Sequence, residues 1–177
     1  MIKIMPMGEV PHRLLSDLVP ELRSVYGALI DDISVSIGSK IELPQEAFVP
    51  EREQYRSDII IDLMERQMAE HARILVITDV DIFFPTLNFV LGQAQLSGTF
   101  CIVSIRRLDP SYYRIPPNYE LLLERTVKES VHELGHTLGL SHCPNPLCVM
   151  SFSNSILGVD RKSKNLCERC EKRFLRI

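Results

Sequence analysis

Between Val131 and Cys148 the chain reads VHELGHTLGLSHCPNPLC, a stretch holding three of the five histidines and two of the five cysteines. If it is helical, with each residue turning about 100°, Leu123, Val127, Val131, Leu134 and Leu138 share a stripe about 80° wide. His132 and His136 lie roughly opposite that stripe, one turn apart. The core-facing side of the helix is therefore already taken, and the pair reads as a ligand face or, failing that, as two solvated side chains. His142 favours the ligand reading. Gly139 can adopt φ > 0, end the helix and turn the chain back, so that His142 approaches the same point from another direction. Three neutral imidazoles with a fourth position open to water make the donor set of a catalytic zinc rather than a closed structural one. Glu133, adjacent to the first ligand, is expected to act as general base, taking a proton from zinc-bound water and delivering it to a leaving amine. The reaction expected is hydrolysis of a peptide bond. Gly135, in mid-helix, costs about 1 kcal/mol against Ala and points to close packing against a neighbour the sequence does not identify.

Cys143, Cys148, Cys167 and Cys170 form C-x4-C, an 18-residue gap and C-x2-C. Two close pairs of thiolates fit a tetrahedral structural zinc closed to water. Such a clip supplies folding energy to a segment without its own core, and the stretch after Gly139, rich in Pro, Asn, Ser and Cys, lacks one. Two zinc ions per chain are expected, one catalytic and one structural, linked mechanically because Cys143 follows His142. Two disulfides are the alternative and suit a reducing compartment poorly. A redox CxxC at Cys167 and Cys170 would need a preceding strand, and none is expected.

The composition, 45% hydrophobic and 24% charged with a net charge of -3, is that of a soluble domain with no pull towards nucleic acid or anionic membrane. No apolar run approaches the roughly 18 residues of a membrane span. The opening MIKIMPMGEVPH is too short in apolar length for a secretory signal. A cytoplasmic monomer is expected, acting on peptide or unstructured protein, with neither nucleic acid nor membrane as partner. The basic residues towards the C-terminus (Arg161, Lys162, Lys164, Arg169, Lys172, Arg173, Arg176) are broken by Glu168 and Glu171 and read as a solvated face rather than a nucleic-acid contact.

The spacing predicts a strand from Ile2, ended by Pro6 and Gly8, and an amphipathic helix from Pro11 to about Tyr26 that Pro20 kinks or divides. A strand over Ile33–Ile37 follows, then a helix from Glu51 to about His71 with Ile59, Ile60, Leu63, Met64 and Met68 on one face. Ile74–Ile77 reads as a buried strand. Asp79 and Asp81 beyond it read as turn-forming, solvated carboxylates. Phe89–Leu96 and Thr99–Leu108 form paired strands around Ser97-Gly98, with Gly92 marking an irregular or edge strand and Cys101 a small core residue. Asn118 caps a helix to about Leu138. A short basic helix near Leu166–Leu175 is the only element expected after Gly139. The fold class is α/β, a mixed, mostly parallel twisted sheet with an antiparallel edge strand and a long active-site helix. A single domain 1–177 is expected, divided into an α/β part (1–138) and a small zinc-clipped C-terminal subdomain (139–177).

HELGHTLGLSHC, CVM at Cys148 to Met150 and CERC at Cys167 to Cys170, with VSIRRL at Val103 to Leu108 and the lead-in RTVKESVHE, make the chain resemble the archaemetzincins, small metzincin-like zinc peptidases. The likeness covers most of residues 89 to 170, and the N-terminal half agrees in element order. It implies a catalytic zinc on His132, His136 and His142, Glu133 as general base, and a second zinc on the four cysteines. It also implies that Met150 is the methionine of a Met-turn beneath the histidines, and that peptide pairs with the Phe89–Leu96 edge by β-augmentation. Phe152 stands where some metzincins carry a tyrosine, and it has no hydroxyl to offer. Ser104, Arg106 and Asp160 fall in family-like stretches with no chemistry to assign. A zinc-stabilised peptide-binding module without turnover is the alternative function; it would have no need of Glu133.

Overall fold

The computed structural model describes residues 1–68 and 72–175. In chain order these form β1 (Ile2–Met7), α1 (His12–Gly27), β2 (Val35–Ile37), β3 (Phe48–Val49), β4 (Gln54–Arg56), α2 (Ser57–Gln67) and β5 (Arg73–Thr78). Then come β6 (Ile82–Phe83), β7 (Gly92–Ala94), β8 (Phe100–Ser104), α3 (Tyr119–Thr137), α4 (Ile156–Arg161) and α5 (Glu168–Phe174). The main sheet has the order β2-β1-β5-β8-β7. Its first four strands are parallel, and β7 pairs antiparallel with β8 at the edge. Successive side chains on a strand point to opposite faces, and each central strand here supplies two cores. Ile2, Ile4, Leu75, Ile77, Cys101 and Val103 pack towards α1 and α3, whereas Met5, Met7, Ile74, Val76, Phe100 and Ile102 pack towards α2. Burial on both sides is why these strands read as unbroken apolar runs.

Several boundaries differ from expectation for identifiable reasons. β1 continues through Pro6 to Met7 beside β5. The Ile2 N–H faces β2, so Pro6, four residues on, turns its donor-free nitrogen to the same side, where β2 has already ended, and no ladder bond is lost. α1 is one helix, because Pro20 sits on its exposed face. The helix expected from Glu51 starts only at Ser57; residues before it form a 3-10 turn and β4, which joins β3 and β6 in a second small sheet that the sequence reading missed. Its expected end near His71 lies outside the described residues. Met64 and Ile60 face the core as expected, joined by Ile61 rather than Leu63. β7 is shorter than Phe89–Leu96. Val90 bridges instead to Ile82, and the left-handed turn at Ser97 (φ 57°) is drawn to α3 by a 2.9 Å bond from Ser97 N–H to the His136 carbonyl. Asp81 is no solvated turn residue: Arg107 grips both its oxygens at 2.7 Å.

The Asn118 side chain accepts from the Leu121 N–H at 3.0 Å and starts α3. Val127, Val131 and Leu134 meet the core as expected, and the buried Tyr26 hydroxyl of α1 donates to the Val131 carbonyl at 2.9 Å. The opposite side of α3 is not solvated. Residues 125–135 are all buried, because the chain after Gly139 returns across that face. There Asp160 of α4, an element not expected, takes both ends of the Arg125 guanidinium at 2.7 and 2.8 Å. Lys162 lies 2.7 Å from Glu129 with both side chains buried. The solvated basic face is therefore wrong for Lys162, while Lys164 and Lys172 pair with Glu21 and Glu168; Arg176 lies outside the described residues.

Candidate active site and metal centres

α3 ends in a left-handed glycine turn. Gly139 has φ 89°, its N–H donates to the His136 carbonyl, and the next N–H, of Leu140, reaches back to the Gly135 carbonyl, both at 2.9 Å. This pair of bonds is the Schellman pattern. It reverses the chain so that His142 meets His132 and His136, and the ligand nitrogens of the three lie within 4.8 Å of one another. Glu133 and His132 are each 5% exposed, His136 is half-buried and His142 is exposed.

The protons of this cluster can be assigned from its partners. His132 Nδ1 lies 2.8 Å from the Val149 carbonyl and His136 Nδ1 lies 2.7 Å from the Leu140 carbonyl. A carbonyl only accepts, so each Nδ1 carries a hydrogen and each neutral ring presents a bare Nε2 lone pair. Those two Nε2 atoms face each other at 3.1 Å. Facing lone pairs repel, and a shared cation relieves them; ligands about 2.0–2.1 Å from a zinc ion at a near-tetrahedral angle have a similar separation. Burial holds all three imidazoles below their ordinary pKa, His132 furthest, with the charge of Lys162 acting in the same direction. The rings are thus neutral donors, and the residues present fit a zinc ion.

Glu133 projects from the same turn into a cleft of about 480 Å³. Burial raises its pKa well above the ordinary carboxylate value; Glu129, one turn back on α3, adds to the rise, and Lys162 opposes it. The cleft runs between α3 and the edge strand β7, with Phe84, Leu87, Phe89 and Phe152 as apolar walls. The Phe152 ring stands 5.1 Å from that of His142. Met150 is fully buried against α3. It answers what Gly135 packs against: a Cβ at Gly135 would lie 2.5 Å from the Met150 sulfur.

The four cysteine sulfurs also lie within 4.8 Å of one another. All are free thiols, with Cys143 and Cys167 3.7 Å apart, far beyond the roughly 2.05 Å of a disulfide. Burial pushes the Cys167 thiol up, but the Cys170 N–H and the neighbouring thiols outweigh it and bring the pKa to about 7. Cys148 and Cys170 are raised, chiefly by burial. A closed tetrahedral set of four sulfurs fits a zinc ion as thiolates. The two clusters share a strand of backbone: Cys143 follows His142, and its N–H bonds the Met150 carbonyl at 2.8 Å. Cys101 stands apart, fully buried in β8 as expected. The sequence reading did not find the carbonyls of Leu140 and Val149, which carry no side-chain signature, nor the Glu129–Lys162 pair. A glutamate one turn before Glu133 was its only trace.

Among the described residues no helix is long and apolar enough to cross a membrane. The family model for peptidase family M54 matches residues 1–176. The archaemetzincin of Methanopyrus kandleri is 42% identical over 163 residues, spanning 92% of this chain and 88% of that protein. A crystal structure of the Methanopyrus kandleri archaemetzincin superposes with a TM-score of 0.86 at 39% identity, covering 99% of this chain and 94% of the other. A zinc-dependent peptidase from Methanocorpusculum labreanum superposes at 0.84 and 29% identity, covering 98% and 100%. A buried HExxH helix, a third histidine turned back onto it and a family match along the whole described chain lead to one assignment: the chain belongs to peptidase family M54, the zinc metallopeptidases that include the archaemetzincins.

Proposed function

We propose that the chain cleaves peptide bonds at the His132–His136–His142 cluster, with Glu133 as general base. The observation that carries this reading is the pair of bare Nε2 lone pairs 3.1 Å apart beside a buried carboxylate that opens on the cleft. His132, His136 and His142 would hold a zinc ion, which when bound would acidify a water and polarise the scissile carbonyl. Glu133 takes the proton from that water and hands it to the leaving amine. Burial favours the first half-step, because a carboxyl whose pKa is raised takes up a proton more readily and holds it until the amine accepts it. Val149 and Leu140 fix the ring orientations, and Met150 fills the floor below them as the methionine of a Met-turn. The substrate is a peptide or an unstructured protein segment, laid antiparallel along β7, which forms the edge of the main sheet among the described residues.

A second zinc, on Cys143, Cys148, Cys167 and Cys170, holds residues 139–177 as a C-terminal subdomain of a single metallopeptidase domain, against the α/β part formed by 1–138. We place this enzyme in the cytoplasm as a monomer, where four reduced thiols remain available to the metal. Replacing Glu133 with Ala is expected to leave two zinc ions bound and the fold intact, and to lower turnover of a peptide library by about 10²–10⁴-fold. Undiminished hydrolysis by the zinc-loaded variant would refute the assignment.

A further inference from the structure

Gly92 opens β7, in the edge strand directly opposite the active-site helix. Its backbone does not require glycine: among the described glycines only Gly8 and Gly139 have positive φ. Glycine also weakens a strand, so its presence needs another cause. Space supplies one. A Cβ at this position would lie 2.6 Å from Cγ, 2.7 Å from Oε1 and 2.9 Å from Cδ of Glu133, all well inside the roughly 3.5–4.0 Å of carbon contacts. The three nearest atoms thus belong to one side chain, the proposed general base.

Neither backbone is free to give way. β7 is held by the β8 ladder, by Ser104 N–H on the Leu91 carbonyl at 2.9 Å, and by Ser97 N–H on the His136 carbonyl at 2.9 Å. Gln93, next to Gly92, is hydrogen-bonded to the buried Ser57 hydroxyl. On the other side α3 is fixed through Val131 by Tyr26 and through His132 by Val149. Glu133 itself is 5% exposed, so a side chain at position 92 pushes its carboxylate away from its present place. We propose that Gly92 is a positioning residue for Glu133: the missing side chain on the edge strand leaves the recess in which the carboxylate is held beside the imidazole cluster. The inference rests on the general-base reading of Glu133 for its catalytic consequence, but not for the contact itself.

The test combines Gly92→Ala, Glu133→Ala and the double variant, all zinc-loaded, with melting midpoints and steady-state kinetics on a fluorogenic peptide. Gly92→Ala is expected to lower the midpoint of the wild-type chain and to leave that of the Glu133→Ala chain unchanged or higher. If Gly92→Ala alone fails to fold while the double variant folds, the contact is upheld. Equal midpoint shifts in the two backgrounds would overturn it, whatever Glu133 does in the reaction. In the kinetics, Gly92→Ala should lower kcat roughly 10²-fold, the loss typical of a misplacement of about 1 Å, with KM within a few-fold and the zinc content unchanged. A raised KM with kcat intact would mean that Gly92 makes room for substrate instead, and would overturn the positioning role. Full turnover in Glu133→Ala would sink the general-base reading alone and leave the midpoint cycle standing.

Discussion

Lys162 is the most deeply buried charge on the chain's C-terminal side, and removing it should be severe in a way that removing its partner as well is not. Its Nζ lies 2.7 Å from Glu129 Oε1, and the side chains are 0% and 4% exposed. Neither atom makes a hydrogen bond of good geometry with any other described group, so each charge is compensated by the other. At that separation the attraction is about 6 kcal/mol with an effective dielectric of about 20. Desolvation costs several kcal/mol for each ion. The two nearly cancel, which makes the intact pair close to neutral for stability and the half-pair costly. Lys162→Met leaves a carboxylate buried and alone, and should destabilise the chain by about 3–5 kcal/mol. For a domain of this size that corresponds to a midpoint lowered by roughly 6–20 °C, at about 2–4 °C per kcal/mol. Glu129→Leu combined with Lys162→Met should recover most of the loss or exceed the parent by about 1–4 kcal/mol. Thermal melts at one fixed zinc concentration keep metal linkage constant across the series. A single variant costing under about 1 kcal/mol, or a double variant worse than the single, would refute the argument.

Gly135→Ala sets a gain of about 1 kcal/mol in helix propensity against overpacking of about 1–3 kcal/mol where the new Cβ meets the Met150 sulfur at 2.5 Å. It should destabilise by up to about 2 kcal/mol in guanidinium unfolding, and stabilise by about 1 kcal/mol once Met150→Ala has removed the obstacle; a loss that persists in the second background would point elsewhere. Cys170→Ser should leave the chain with at most one bound zinc ion and speed amide exchange over 140–175. Because Cys143 adjoins His142, it should also weaken retention of the remaining zinc against a chelator; two tightly held ions in this variant would disprove the clip.

What could be read from the sequence was whatever a side chain announces. The imidazole and thiol spacings, the Asn118 cap, the Gly139 turn and the apolar runs of β5 and β8 all carry a local chemical signature, and all reappear in the structure. What could not be read was set by backbone or by distant charge. β4 hides in the approach to α2, because three residues paired between β3 and β6 have no periodicity to display. α4 hides because six residues show too little of a helical face. Lys162, set among arginines and lysines, looked solvated; its burial follows from Glu129, thirty-odd positions earlier, and from a chain reversal that only the fold supplies. Gly92 looked like an edge-strand irregularity, and only the position of Glu133 gives it a different meaning.

The same distinction bears on why the C-terminal segment is fastened so heavily. His132 and His136 are held in place by α3, but the rotation of each ring, and hence the tautomer that leaves Nε2 bare, is decided by the carbonyls of Val149 and Leu140. Both carbonyls belong to the stretch after α3, which has little apolar material of its own. An error of ring rotation there would put a proton where a lone pair is needed, and partners of this kind are worth about 10–100-fold in metal affinity or activity. The Arg125–Asp160 and Lys162–Glu129 pairs pin that stretch to α3 ahead of the histidines, and the cluster of four cysteines gathers the stretch onto itself. The two helical histidines of this chain thus depend for their tautomer on a segment outside the helix. Loss of those fastenings should therefore be felt first in zinc retention and only later in the unfolding of the sheet.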